Sequence, residues 1–231
     1  METRLKGQLK TRLIIYLLEE LPFGTPQVFG RQLFTRAWFN DVRVSLKTAQ
    51  YTLNRLKNED RIKSVKYRDK VYVAKGKDPY KGFGHFEHDE GVIEVLINAH
   101  LYGYDTEWGS GVKSDGMIGE FPLELDCGNK DKNALKKQLE KYEDAGYEYI
   151  LIVSYPKSGA LKLKRYDRQY QNRQSEKIRK QISGLNFNRK FRKKFLFATF
   201  LDASDPRKDP LTKIWKRIDG KFISLEGKCS N

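Results

Sequence analysis

From Ser114 to Gly128 the chain reads SDGMIGEFPLELDCG, and this stretch limits the fold more than any other. Val112 to Ile118 and Phe121 to Cys127 are short strand-like runs joined at Gly119 and Glu120, the pattern of a tight β-hairpin. Side chains alternate between the two faces of a strand, so Glu124 and Asp126 share one face while Leu123, Leu125 and Cys127 take the other. With the partner strand in its natural register, Asp115 reaches the same face and three carboxylates converge. Hard divalent ions such as Mg2+ or Mn2+ favour oxygen donors of this kind, with phosphate and water filling the remaining positions. The competing reading is an exposed sheet face whose acids are simply solvated.

These acids sit in a strongly basic chain. Its formal charge is +15, and fourteen basic residues against two acids, Asp167 and Glu176, lie between Lys157 and Lys194, so that segment alone carries +12. A field this local points to a polyanion. Lys164, Arg165, Arg168, Arg173, Lys177, Arg179, Lys180, Arg189, Lys190, Arg192 and Lys193 are the candidate contacts, with Tyr166, Tyr170, Phe187 and Phe191 interleaved for stacking or packing. With 231 residues, thirteen Tyr and thirteen Phe, the chain can fill one large core or two modest ones. It contains no apolar run long enough to span a bilayer and no signal-peptide core near its start, so a cytoplasmic protein with no membrane partner is expected. Cys127 and Cys229 are far apart and lack a CxxC pair, and His85, His88 and His100 lack the further ligands a zinc centre needs. No Walker loop, nucleophile elbow or Rossmann fingerprint is present.

The first part of the chain predicts three helices and a hairpin. Leu9, Leu13, Ile14, Leu17 and Leu18 form one apolar stripe over Gln8 to Leu21, ending at Pro22, Phe23 and Gly24. Thr25 and Pro26 suit the start of a second helix, which runs through Val28, Leu33 and Phe34 towards Trp38. A third, Val44 to Asn58, turns Leu46, Ala49, Leu53 and Leu56 inward and leaves Lys47, Thr48, Gln50, Tyr51, Asn54 and Arg55 outside. Ile62 to Tyr67 and Val71 to Ala74 then form a charged hairpin around Arg68, Asp69 and Lys70. This order resembles a winged helix-turn-helix, in which the third helix enters the major groove of duplex DNA and the hairpin grips phosphates. Lys47, Thr48, Tyr51, Arg55, Lys66, Arg68 and Lys70 are the corresponding DNA contacts. The expected boundaries are residues 1–75 for this module, 76–84 for a linker rich in Gly, Lys and Pro, and 85–231 for a second domain.

The second domain reads as a helix over Gly91 to His100, strands at Leu101–Thr106, Val112–Ile118 and Phe121–Cys127, and a helix over Ala134 to Ala145. A buried strand at Tyr149–Ser154, a basic helix and a strand at Phe195–Phe200 follow. Crossover helices between the later strands imply a mixed central sheet, so the whole chain is expected to be α+β.

This order and the acid positions resemble the PD-(D/E)XK nuclease superfamily, with its restriction-endonuclease-like fold. Within it, the chain is similar to the replication-relaxation family, which places a winged helix before a nuclease-like domain. His88, Asp115, Glu124, Asp126, Gly128, Lys137 and Tyr142 carry the resemblance. It implies that Asp115, Glu124 and Asp126 hold a catalytic Mg2+ or Mn2+. Asp126 stands where the superfamily usually has a catalytic lysine, and Lys137 on the following helix is the implied substitute. Gln138 helps to fix that geometry, Glu94 is a further candidate ligand, and His88 is a candidate for touching substrate. The implied activity is metal-dependent cutting or nicking of DNA by a protein of mobile-element, plasmid or phage type. The alternative is a non-catalytic replication or transcription factor built on a degenerate nuclease fold. RNA, an acidic protein surface and a second copy of the chain are the alternative partners.

Overall fold

The computed structural model describes residues 7–35, 42–65, 71–78, 85–109, 114–156, 167–192, 194–211, 214–216 and 222–223. The chain is a mixed α+β protein that divides into two compact units, Met1–Ile97 and Asn98–Asn231. The division falls inside a helix, α4 (Phe86–Leu101).

In the first unit α1 (Gly7–Glu20) buries Ile14, Leu17 and Leu18. Leu9, expected on the same apolar stripe, is instead 47% exposed. Helix α2 (Pro26–Phe29) begins as the sequence predicts, with Pro26 in its first turn and the Thr25 hydroxyl accepting from Val28 N at 3.2 Å. It continues as a wider π-helical segment, Gly30–Thr35. Helix α3 (Val42–Asn58) presents Ala49, Leu53 and Leu56 to the core at the spacing of one helical face. Burying each such leucine contributes about 1.5–3 kcal/mol, and Leu53→Ala would cost about 2–5 kcal/mol.

Strands β1 (Ile62–Val65) and β2 (Val71–Ala74) pair antiparallel, Ile62 opposite Ala74. The opening turns of α4 belong to this unit as well: the Phe86 ring stacks on Phe23 at 5.1 Å, and the Thr25 hydroxyl donates to Glu90 at 2.8 Å.

The second unit is built on a seven-stranded mixed sheet in the order β3 to β9. Strands β3 (Thr106–Trp108), β4 (Gly116–Ile118) and β5 (Phe121–Asp126) are antiparallel to one another. Next, β6 (Ile150–Ser154) runs parallel to β5, and β7 (Phe195–Thr199) parallel to β6. Parallel neighbours require crossovers. Helix α5 (Lys132–Glu140) makes the first, and α6 (Arg168–Ser183) with the short α7 (Arg189–Arg192) makes the second. After β7 come a helical turn, α8 (Phe200–Ala203), and two short antiparallel strands, β8 (Ile214–Lys216) and β9 (Phe222–Ile223), which the sequence pattern had not marked.

The expected strand at Leu101–Thr106 is not one: Leu101 ends α4, and a turn through Gly103, at φ +92°, leads into β3. One sheet face carries Ile150, Ile152, Phe195 and Phe197, covered by Leu135 and Leu139 of α5 and by Ile178 and Ile182 of α6. Phe187 and Phe191 belong to this core, so they pack rather than stack on a ligand.

Candidate functional site

The expected hairpin is present, with Ile118 opposite Phe121 and Gly119 at φ +55° in the tight turn. Gly116 pairs with Leu123, yet the Asp115 N–H also donates to Leu123 O at 3.1 Å. Two residues of one strand thus face one of the other, which is bulge geometry and re-aims the extra side chain. The Asp115 carboxylate accepts from Leu125 N at 2.8 Å, bringing it beside β5.

Glu124 is the centre of the site and is only 2% exposed. Its Oε1 accepts from the Tyr142 hydroxyl and lies 2.7 Å from Lys141 Nζ, while Oε2 accepts from Gln138 Nε2 at 2.5 Å. All three partners follow from α5 packing along β5, since Leu135, Leu139 and Tyr142 are buried against the sheet and bring the neighbouring polar groups with them. Burial raises the proton affinity of the Glu124 carboxyl, and the Asp115 charge raises it further, against the opposing pull of Lys141 and Tyr142. The Tyr142 phenol is likewise pushed up, by burial and then by Glu124. Two carboxylates therefore sense each other across the hairpin.

Asp126 does not join that pair in the same way. Its Oδ1 accepts from Gly128 N at 2.5 Å, closing the loop after β5, and Oδ2 is 3.5 Å from Lys130 Nζ. Lys130 also donates to Gln138 Oε1, so an ammonium links Asp126 to the amide that holds Glu124. At the ends of the parallel strands Asp126 is in register with Ser154, and Ser154 with Thr199. Behind them, Gln174 Nε2 of α6 donates to Cys127 O at 3.0 Å.

Among the described residues no three His, Cys, Asp or Glu side chains gather closely enough to hold a metal ion. Mg2+, however, is commonly held by one or two carboxylates together with substrate phosphates and water. By donor type Asp115 and Glu124 supply that number of carboxylates, with Leu125 N on the first and Tyr142, Lys141 and Gln138 on the second. Asp126, with its oxygens turned to Gly128 and Lys130, shapes the loop instead.

The remaining expected site residues scatter. Lys137 is exposed on α5, and the lysine that meets Glu124 is Lys141, one helical turn later. Gln138 is at the site. Glu94, fully buried in the first unit, pairs with Arg31 at 2.7 Å, and His88 Nδ1 lies 3.1 Å from Asp89. Sequence reasoning passed over Lys130 and Lys141 as ligand partners. The spacing of Lys137 on α5 and Lys141 at its C-terminal cap, four residues apart, was the available signal.

Of the candidate DNA contacts, Lys47 is exposed and Tyr51 is 70% exposed, whereas Thr48 is half-buried. Arg55 turns back to the Thr11 hydroxyl at 2.9 Å and towards Glu59. Gln50 and Asn54, expected outside, meet the Tyr72 hydroxyl at 2.7 and 2.8 Å and tie α3 to β2. On α6, Arg168 grips Asp202 with both bonds at 2.7 Å and Lys180 pairs with Glu176 at 2.8 Å. Arg173 and Lys177 are exposed, Arg179 is half-buried, and Lys190 is exposed on α7, which also spans Arg189 and Arg192. Lys66, Arg68, Lys70, Lys164, Arg165 and Lys193 lie outside the described residues. No helix among the described residues is long and apolar enough to cross a membrane.

Comparison with protein-family models, with curated proteins and with solved structures gives no match.

Proposed function

We propose that the chain is a duplex-DNA-binding protein whose first unit is a winged helix and whose second unit is a nuclease-like domain that nicks or cuts DNA with Mg2+ or Mn2+. The observation that carries this reading is the opposition of Asp115 and buried Glu124 across a bulged hairpin in a mixed sheet, inside a protein of charge +15. Acids that repel each other while a basic helix packs on the same sheet face suit a site that brings a cation and a phosphate together. A divalent ion held by Asp115 and Glu124 would polarise the phosphate and acidify a water. The chain's own residues do the positioning. Tyr142 and Gln138 fix both Glu124 oxygens, and Lys141 supplies the positive charge that the strand itself lacks at Asp126. In the first unit, Lys47 and Tyr51 on the outer side of α3 are the groups offered to a DNA groove.

A second reading rests on one specific observation. Lys141 and Lys130 already bind the carboxylates, which is how a nuclease fold that has become a binding platform would neutralise its former site. Supercoiled plasmid incubated with Mn2+ separates the two readings. Nicking by the native chain, lost in Asp115→Ala and in Glu124→Ala while DNA binding is retained, supports the enzyme. DNA binding without nicking under either metal leaves the platform.

A further inference from the structure

The loop after β5 passes beneath α6 at Gly128. This residue has φ +63°, and a Cβ there would lie 3.3 Å from Ile178 Cγ1 and 3.6 Å from Lys177 Cδ. The positive φ favours glycine and a Cβ would press on Ile178, while the aliphatic stem of Lys177 lies at ordinary contact distance over the loop. Two residues on, Lys130 spans Asp126 and Gln138. An ammonium has three hydrogens, so two such bonds leave Lys130 one to donate, and its side chain is 39% exposed.

The cations of α6 are not equivalent. Gln171, Ser175, Ile178 and Ile182 are its buried residues. Arg168 is taken up by Asp202, and Lys180 by Glu176. Arg173 and Lys177 are exposed, one helical turn apart, and neither forms an ion pair among the described residues. Of these two cations, Lys177 is the one that lies at Gly128. Without it, the field of Glu124 and Asp126 would turn a phosphate away.

We infer that Lys177, whose stem lies at Gly128, and Lys130, two residues after it, form a phosphodiester-binding site at the edge of the Glu124 network, with Arg173 taking the next phosphate along α6. The inference rests on the duplex-DNA reading and deepens it: the contact is to backbone, carries no sequence preference, and places the strand beside the carboxylates.

Binding of a fluorescent DNA duplex, followed from about 50 to about 200 mM salt without divalent ions, tests the site through the slope of log affinity against log salt. Lys130→Gln and Lys177→Gln should each reduce that slope by about 0.9, and the double variant by about 1.8. Lys177→Arg keeps the charge and should keep the slope. Matched thermal unfolding of the variants shows that the fold is intact. Native-like slopes in both glutamine variants would overturn the site while leaving DNA binding in place, whereas a native chain that does not bind the duplex at all would remove the DNA reading and this site with it.

Discussion

Glu94 and Glu124 are both buried glutamates, and their surroundings differ in a way that separates support from chemistry. Glu94 has a guanidinium partner, Arg31, at 2.7 Å. That partner stays charged under all ordinary conditions. Glu124 has a phenol, an amide and an ammonium around it, together with the repelling carboxylate of Asp115. Its carboxyl is raised by burial and by the Asp115 charge, against the pull of Lys141 and Tyr142. Burial alone does not mark a reactive acid; the character of its partners does.

Removing one partner from each acid tests this contrast most severely. Arg31→Ala removes the guanidinium from buried Glu94 and should cost about 3–5 kcal/mol. Lys141→Ala leaves Tyr142 and Gln138 in place at Glu124 and should cost less, about 1.5–3 kcal/mol. Urea unfolding read by hydrogen exchange separately at the start of α4 and at β5 measures the two, and equal losses would erase the distinction.

A pH series sharpens it. The Glu124 carboxyl is raised in the folded state, first by burial and then by Asp115, above an unfolded value of about 4.3. The folded state thus binds the proton more tightly, so this contribution to stability is complete below about pH 4.3 and is lost as pH rises through the folded value. Glu124→Gln should flatten that part of the stability curve of the second unit; a variant that tracks the native curve from pH 4 to pH 8 would refute the assignment.

The smallest effect is expected at Lys137→Ala. With its side chain exposed, the substitution should change stability by no more than about 0.5 kcal/mol, and under the proposed nicking activity it should leave the rate near native, where Lys141→Ala should lower it.

The sequence made the hairpin legible because Gly119 and two alternating runs leave little choice of register, and Ile150–Ser154 was legible because five successive apolar or small residues suit a strand buried on both faces. Leu101–Thr106 misled: its aromatic alternation imitates a strand, while the end of α4 and a left-handed Gly103 determine the path. The candidate site was legible only as far as its acids. A bulge depends on pairing between strands, so the sequence could not say how Asp115 would be aimed. Nor could periodicity choose between Lys137 and Lys141, which share a helix face and differ only in how far α5 extends along β5. The same limit applies to α3, where Gln50 and Asn54 look like an open polar face until Tyr72 claims them.

The short bridge between Gly24 and Tyr72 has a mechanical consequence. Gly24 N donates to Tyr72 O at 2.8 Å and Tyr72 N to Gly24 O at 2.9 Å, and any side chain at residue 24 would collide with the Phe29 ring. Tyr72 is thereby anchored by its backbone to the α1–α2 connection and by its hydroxyl to α3. Strand β2 is thus tied at Tyr72 to both helical elements and cannot pivot on its own, so a displacement of that strand passes directly into the helices.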